Sequence, residues 1–258
     1  MTASIPAGVW ILRAAAARSQ VVADPRLTEA VMLRRCAQYR KAFRCAAVSY
    51  PDDVLGLQAP AEWVKRHGVA VDVADTDGVD LALARGVLPQ RIIMHASDPK
   101  AVALVQAAEA GAGRFVVNSL SQVGILADAA SHRQRVLIDV TDDNDALVAA
   151  VVAGAGLDMI GVHRRLSSGE DGRATVLAMI VTMRDISRRY SVIPARLSLG
   201  DVDVADWGCD PEDLAAIAAA VDDAVEDGCI VGRFPSPAVN VAPSCAALTP
   251  AHSGPRHS

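Results

Sequence analysis

The sequence of 258 residues contains few aromatic side chains and very few lysines. Aromatic residues make up 3% of the chain and hydrophobic residues 52%, so we expect a sizeable core built mainly from Ala, Val, Leu and Ile. The net charge is −5, and no basic stripe alternates with aromatic residues, which argues against nucleic acid as a partner. Only Lys41, Lys65 and Lys100 could supply an amine to a reaction.

Cysteine motifs and long apolar runs are also missing. The five cysteines show no CxxC spacing, so they indicate reduced thiols in a cytoplasmic protein, and neither a disulfide framework nor a metal site is predicted. The longest apolar run, residues 146–157, is shorter than the roughly 20 residues of a membrane span. The N-terminus lacks a secretory pattern. We therefore expect no membrane partner.

Short β-rich runs alternate along the chain with segments of helical period. This alternation predicts an α/β fold, a single (β/α)8 barrel of the TIM type. The alternative is an open, doubly wound sheet with one or two misassigned strands, but no GxGxxG follows an early strand. The eight predicted strands are Ala47–Tyr50, Val69–Ala74, Arg91–Ala96, Arg114–Ser119, Arg135–Thr141, Leu157–His163, Ala195–Gly200 and Cys229–Phe234.

The two ends of the chain lie outside this repeat. Residues 1–24 are interpreted as an N-terminal extension, and residues 25–234 as the barrel. Residues 235–258 are rich in Pro, Ser and Ala without a sustained period, and this composition predicts a disordered tail. Gly68, Gly86, Gly111 and Gly228 are predicted to stop helices.

The stretch AVSYPDDVLGLQAPAEWVKRHGVAVDVA, residues 47–74, resembles the first strand, helix and second strand of a known family. That family comprises the pyridoxal-phosphate-dependent diaminopimelate, ornithine and arginine decarboxylases, and diaminopimelate decarboxylase is the most similar member. The resemblance covers roughly residues 20–235 and is most specific over residues 69–126, where Asp72 matches a family aspartate. It implies an alanine racemase-like barrel that binds pyridoxal phosphate.

The position of the family's catalytic lysine carries a different residue here. The family places its Schiff-base lysine a few residues after a strand-end tyrosine, and Asp53 occupies that position after Tyr50. A carboxylate cannot form the covalent link that pyridoxal phosphate chemistry requires of an amine. Asp52 and Asp53 could instead act as a catalytic acid pair, or Pro-Asp-Asp could simply form a turn. No catalytic residue and no bound cofactor are predicted.

Other family positions are partly kept, and they outline a vestigial cofactor pocket. By the resemblance, His163 and Ser168 match a motif after the sixth strand, whereas Arg165 replaces a histidine that stacks on the cofactor ring. Gly200 matches the first glycine of a phosphate loop, and the following Asp201 would repel a phosphate. Arg165 and Ser168 could still bind an anion, or Arg165 could lie in a solvated loop.

Several aspartates follow the predicted strands, where a barrel carries its chemistry. They could bind a divalent cation or a basic ligand, or they could serve only as residues that favour helix N-termini. Besides Asp52 and Asp53, they are Asp75, Asp77, Asp98, Asp142, Asp143, Asp201 and Asp203.

These observations predict a degenerate, non-catalytic relative of the decarboxylases, with a regulatory or interaction role. The alternatives are an enzyme that uses the acidic face on a small cationic metabolite, and an active pyridoxal-phosphate-dependent decarboxylase. By the resemblance, family members carry a β-domain after the barrel, and we expect that this chain lacks it. We therefore expect self-association or a protein partner on the surface that this domain would cover.

Overall fold

Eight parallel strands alternate with helices and close into a barrel in the computed structural model, which describes residues 25–95, 101–140, 144–167, 170–202 and 213–249. The strands are β1 (Ala47–Pro51), β2 (Ala70–Val73), β3 (Ile92–His95), β4 (Arg114–Val117), β5 (Gln134–Asp139), β6 (Leu157–Arg165), β7 (Arg196–Gly200) and β8 (Ala238–Val241). The helices are α1 (Pro25–Ala42), α2 (Gln58–His67), α3 (Thr76–Ala84), α4 (Ala101–Glu109), α5 (Leu120–Ala129), α6 (Asp145–Ala153), α7 (Gly172–Tyr190), α8 (Leu214–Gly232) and α9 (Cys245–Leu248). The predicted (β/α)8 barrel is therefore confirmed.

Alternate residues of each strand face the helices and the barrel interior, because side chains on a strand alternate with a period of two. Outward residues such as Tyr50, Met94 and Phe115 are fully buried against the helix layer. Inward residues of β2 to β6 form a separate apolar cluster, which consists of Ala70, Ile93, Val116, Leu137 and Ile160. This cluster fills the middle of the barrel, as expected of a packed core rather than a pore.

Local signals fix where several helices begin and end. Asp75, Ser119 and Asp171 precede α3, α5 and α7, and their side chains accept hydrogen bonds from backbone N–H groups of the first turn. Gly68 ends α2 in the left-handed conformation, with φ of 58°. The three N-terminal caps lie in βα loops, at the end of the barrel where the cavity described below opens, whereas Gly68 lies before β2 at the opposite end.

The predicted eighth strand was wrong. Cys229–Phe234 does not form a strand, because α8 continues to Gly232. Gly228 was expected to stop this helix, but it lies buried inside α8, where a Cβ atom would come within 2.5 Å of Ile180 Cδ1 on α7. Glycine is therefore needed at this position for the close approach of two helices, and not for a helix end.

The predicted start of the disordered tail at residue 235 was also wrong. The strand that closes the barrel, β8, pairs with both β7 and β1, and α9 follows it at Cys245–Leu248. Both elements fall within the segment predicted to be disordered. The predicted extension, residues 1–24, and residues 250–258 lie outside the described residues.

In the part of the chain that the structure describes, no helix combines the length and the hydropathy needed to cross a membrane. The same residues contain no group of three or more His, Cys, Asp or Glu side chains placed to hold a metal ion.

We predict that α9 is an integral part of the barrel. Leu248 has no exposed surface, so Leu248→Ala should lower the free energy of unfolding by about 2–5 kcal/mol, measured by urea denaturation. Ile230→Ala is the matched control, because 67% of that side chain is exposed, and it should change stability by less than about 0.5 kcal/mol. Equal stability of the Leu248→Ala variant and the parent would show that the segment after β8 does not pack on the barrel.

Candidate functional site

A cavity of about 250 Å³ opens at the carboxyl ends of the strands, where barrel proteins place their active sites. Residues from β1, β2, β3, β6 and β7 and from the segment after β8 contribute to its wall. The lining residues are Pro51, Asp52, Asp53, Asp72, Val73, Ala74, His95, His163, Arg165, Gly200, Asp201, Ala242, Pro243 and Cys245.

A pair of residues on neighbouring strands begins a polar layer below this cavity. Nε2 of His95 on β3 donates a hydrogen bond to Oδ1 of Asp72 on β2, at 2.8 Å. The ring of His95 meets the ring of His163 on β6 edge-on, with 4.8 Å between the centroids. The two imidazoles therefore connect one half of the barrel interior to the other.

The layer continues from β6 to β1 through three small polar side chains. Nδ1 of His163 lies 3.1 Å from Oγ of Ser198 on β7. Nδ2 of Asn240 on β8 donates to Oγ of Ser198 at 3.4 Å and to Oγ of Ser49 on β1 at 3.0 Å. With His95 and Asp72, this network draws on six of the eight strands. It is buried, so its hydrogen bonds hold the side chains in fixed positions.

Three buried polar atoms beneath the cavity have no hydrogen-bond partner within the described residues: Nε2 of His163, Nδ1 of His95 and Oδ2 of Asp72. Burial lowers the pKa of His163 well below its ordinary value, and the nearby charges of His95 and Arg165 lower it further. His163 is therefore neutral at physiological pH. Buried polar atoms are normally paired, so these three atoms indicate a surface that can receive a polar ligand or water.

Two adjacent acids line the cavity where β1 ends. Asp52 and Asp53 form the first turn of a 3-10 helix, Asp52–Gly56. The pKa of Asp52 is raised to about 6, chiefly by burial and further by the charges of Asp53 and Asp75. Its carboxylate also lies against Gly78, where a Cβ atom would come within 2.2 Å of Oδ2. The free thiol of Cys245 lies beside Asp53, and burial is the main cause of its raised pKa.

A second charged group lies on the opposite side of the cavity. Nε of Arg165 lies 4.0 Å from Oδ2 of Asp201, and both side chains are about half exposed. Asp201 adopts a left-handed backbone conformation with φ of 51°, which is unfavourable for a residue other than glycine. The carboxylate of Asp201 therefore already faces the guanidinium group of Arg165.

The preceding residue, Gly200, packs closely against His163, because a Cβ atom on Gly200 would come within 2.9 Å of His163 Cε1.

The sequence-predicted pocket residues come together in this cavity. Asp53, Asp72, His163, Arg165 and Gly200 all line it, whereas Ser168 lies outside the described residues. Lys41 lies in the last turn of α1 and Lys65 lies exposed on α2, and neither lines the cavity. Lys100 lies outside the described residues.

Of the aspartates that follow the predicted strands, Asp52, Asp53 and Asp201 line the cavity. Asp75 caps α3, and Asp77 is exposed in the first turn of that helix. The remaining members, Asp98, Asp142, Asp143 and Asp203, lie outside the described residues. For Asp75, the cap interpretation is therefore confirmed.

Sequence reasoning missed the buried network and one further acid. Ser49, Ser198 and Asn240 were not singled out. Asp139 on β5 was also missed. Burial raises the pKa of Asp139, although the charges of Arg165, His95 and Arg164 oppose this shift. Each missed residue lies two residues from another inward residue of its strand, for example Asp139 from Leu137. A polar residue at such a position within an apolar strand is the signal that could have identified them.

Comparison with known proteins identifies relatives of this architecture. The family model described as the pyridoxal binding domain of pyridoxal-dependent decarboxylases matches residues 29–160. The diaminopimelate decarboxylase of Actinosynnema pretiosum subsp. auranticum is 28% identical over 127 residues, which are 49% of this chain and 29% of that protein. That of Mycobacterium tuberculosis H37Rv is 29% identical over 107 residues, 41% of this chain and 24% of that protein.

Solved structures share the fold at lower identity. Diaminopimelate decarboxylase from M. jannaschii, in complex with L-lysine, superposes with a TM-score of 0.71 at 13% identity and covers 86% of this chain and 60% of its own. Lysine decarboxylase from Selenomonas ruminantium gives a TM-score of 0.68 at 20% identity, covering 83% and 59%. The matches to the two curated relatives span about a quarter of their length, and those to the two solved chains about 60%.

The cavity does not fit a covalently bound pyridoxal phosphate. Such a cofactor needs an amine at the cavity wall, but no lysine is among the described lining residues, and two carboxylates lie where β1 ends. Asp201 would also face the phosphate next to Gly200. The unpartnered atoms of His95, His163 and Asp72 remain available to a polar ligand.

We predict a pH signature for Asp52. An ordinary aspartate in the unfolded chain has a pKa near 3.9, and the folded value of about 6 is higher. The folded state therefore binds the proton more tightly, and the stability that Asp52 contributes is lost as the pH rises from about 4 to 6. Asp52→Asn should be more stable than the parent by about 1–2 kcal/mol at pH 7, after allowance for partial exposure, and the difference should shrink towards pH 4.

Urea denaturation at several pH values measures this difference. Asp128→Asn on the exposed surface of α5 is the control, since it removes the same formal charge away from the cavity. A difference between Asp52→Asn and the parent that stays constant from pH 4 to 7 would contradict the buried, charge-coupled environment assigned to Asp52.

Proposed function

Since the chain belongs to the pyridoxal-dependent decarboxylase family through its pyridoxal binding domain, we propose that it binds ligands in the barrel without forming the covalent cofactor linkage. Its role would then be regulatory or one of interaction with other molecules. The observation that carries this proposal is the position of Asp53 in the cavity wall. In the family that the chain resembles, the Schiff-base lysine stands at this position after the first strand. A carboxylate next to the partly buried Asp52 cannot replace an amine in covalent chemistry.

The charges on the other side of the cavity support the same proposal. A phosphate group would meet Asp201, and the guanidinium of Arg165 that could offset this repulsion already faces that carboxylate at 4.0 Å. Two unit charges about 4 Å apart near a protein surface interact by roughly 1–4 kcal/mol, which corresponds to about one to three decades in affinity. Retention of pyridoxal phosphate through its phosphate is therefore disfavoured.

We predict that no stoichiometric pyridoxyl adduct forms. The protein is incubated with pyridoxal phosphate and reduced with borohydride, and its peptides are analysed by mass spectrometry. Only trace labelling of surface lysines should appear, because the cavity wall presents carboxylates at the end of β1. Asp53→Lys is the matched variant, since it restores an amine at that position and should raise the labelling of residue 53 if the barrel still admits the cofactor.

One lysine needs separate attention in this experiment. Lys100 follows β3 in the sequence and lies outside the described residues. A stoichiometric adduct on Lys100 that disappears in Lys100→Arg would overturn the proposal and would favour an active pyridoxal-phosphate-dependent decarboxylase. Labelling that stays at trace level in the parent and in Lys100→Arg supports it.

A second candidate function is chemistry on a small cationic metabolite. The observation that favours it is the set of carboxylates on the cavity wall, Asp52, Asp53, Asp72 and Asp201, together with the raised pKa of Asp52. A carboxyl group with a pKa of about 6 can both donate and accept a proton near neutral pH, as a general acid or base must. The ammonium group of a ligand would offset the repulsion between Asp52 and Asp53.

We predict a modest preference of this cavity for cations. At matched ionic strength, millimolar 1,5-diaminopentane should raise the melting temperature of the parent by about 2 °C, and Asp53→Asn should reduce that rise. Asp128→Asn should keep it, since its exposed carboxylate lies on α5. If the diamine has no effect on the parent, or acts equally on all three proteins, the cation candidate is excluded and the non-covalent proposal above is unaffected.

Association with a second copy or with another protein is part of the first proposal. Adjacent apolar side chains near the end of α8, Ile230 and Val231, are 67% and 79% exposed. Exposed apolar side chains that lie together favour contact with another surface.

A further inference from the structure

Four strands carry an arginine at, next to or directly before their first residue. Arg114 opens β4, Arg196 opens β7, Arg135 is the second residue of β5, and Arg91 directly precedes β3. All strands of the barrel are parallel, so their starting residues lie at the same end. The arginines are therefore at the N-terminal mouth of the barrel, opposite the cavity.

The strand periodicity turns Arg114, Arg135 and Arg196 towards the barrel interior, because alternate residues share a face of the sheet. Arg114 and Arg135 each precede by two positions a member of the interior apolar cluster, namely Val116 and Leu137. Arg196 precedes Ser198 of the polar network by two positions. The strand register agrees. Arg114 pairs with the inward residue Ile93 on β3. Arg91 ends a short 3-10 helix, Pro89–Arg91, directly before β3.

Arg135 and Arg196 also have partners that define the composition of this layer. Arg135 is in register with Asp158 on β6, and Arg196 is in register with Gly161 on β6 and Ala238 on β8. The positions in register with these two arginines thus hold the carboxylate of Asp158 and the small residues Gly161 and Ala238.

The four arginines repel one another. The pKa of Arg114 is lowered to about 10, first by burial and then by the charge of Arg196. The charge of Asp72 opposes this shift, and Arg135 and Arg91 add smaller contributions that lower the pKa. Burial and the charge of Arg135 also lower the pKa of Arg196. Like charges brought together out of water cost free energy unless an opposite charge offsets them.

Within the described residues, these four guanidinium groups have no ion-pair or hydrogen-bond partner. The arginines that do form ion pairs there lie elsewhere, for example Arg164 with Glu170 and Arg173 with Asp227. Arg114 and Arg196 are half-buried, whereas Arg91 and Arg135 are exposed. Two half-buried and two exposed arginines without an acceptor therefore lie at the entrance of a closed barrel.

Members of the apolar cluster lie on the cavity side of three of the four arginines. Ile93, Val116 and Leu137 follow Arg91, Arg114 and Arg135 by two positions. On β7, by contrast, Ser198 of the polar network follows Arg196 directly on the inward face. A ligand at the N-terminal mouth would therefore be separated from the cavity by apolar side chains on β3, β4 and β5.

We propose that Arg91, Arg114, Arg135 and Arg196 form a binding site for a small, multiply charged oxyanion of the phosphate class at the N-terminal mouth of the barrel. The planar guanidinium group matches a phosphate oxygen pair with two parallel hydrogen bonds. Several such groups around one lumen suit an anion with two or more charges, and the bound anion offsets their repulsion.

Inorganic pyrophosphate is the probe that tests this site on the full chain. Millimolar pyrophosphate should raise the melting temperature of the parent by about 2–4 °C above a sodium chloride solution of equal ionic strength. Arg135→Gln and Arg196→Gln should each lose at least half of this rise. Arg66→Gln, at an exposed position of α2, removes the same charge outside the barrel and should keep it. Malonate as a second anion distinguishes a phosphate site from one that accepts any dianion.

The melting temperatures without anion give a readout that a purely structural role would not produce. If the arginines form a ligand site, Arg135→Gln relieves repulsion and should melt at the same temperature as the parent or higher. A lower melting temperature of Arg135→Gln, together with an anion response equal to that of the parent, would show that the arginines only support the fold. No response of the parent to either anion would also overturn the proposal. Neither result bears on the cavity at the opposite mouth.

Discussion

Pairing between the last and the first strand is the constraint on which the rest of the structure depends. Ala47 and Val48 on β1 are in register with Asn240 and Val241 on β8, and these pairs turn an open sheet into a closed barrel. A parallel sheet with open edges would leave backbone N–H and C=O groups without partners. Closure satisfies these groups and also creates an interior that side chains must fill.

The interior is filled in layers of different chemistry. Apolar residues from β2 to β6 occupy the middle, where no polar partner is needed, whereas the His95, His163 and Asn240 network lies above them. This network reaches β1 only because β8 brings Asn240 between Ser198 and Ser49. The hydrogen bonds of one mouth thus depend directly on the strand pairing that closes the barrel.

Seven of the eight strands and half of the cavity-lining residues were predictable, because short apolar runs and strand-end residues are local features. Asp53, Asp72, His163 and Arg165 all line the cavity, since each lies at or near the end of a strand whose run is clear in the sequence. The eighth strand was not predictable in this way. Ala238–Val241 is four residues long and follows two prolines, so only its pairing with β7 and β1 makes it a strand.

The prediction that Gly228 ends a helix was wrong for a related reason. The close approach of α8 to Ile180 on α7 decides the role of this glycine, and that contact is not visible in the sequence. The partners of His95 and His163 were also out of reach, as Asp72 lies 23 residues from His95 and Ser198 lies 35 residues from His163. Sequence patterns show which positions face inward, but the strand register decides which inward residues meet.

The polar layer argues that the cavity has a ligand-binding role rather than being an inert remnant. A buried polar atom that finds no partner costs about 1–3 kcal/mol, so Nε2 of His163, Nδ1 of His95 and Oδ2 of Asp72, which have no partner among the described residues, need a ligand or water in the cavity. A barrel that only needed filling could carry apolar side chains at these positions, as the layer around Ile93 does. Asp52 adds to this cost, because burial and the adjacent Asp53 raise its pKa. Such costs are offset when a ligand supplies the missing hydrogen bonds and a positive charge, and they are characteristic of functional sites. The same physical reasoning applies to the arginines at the opposite mouth, where the missing charge is negative.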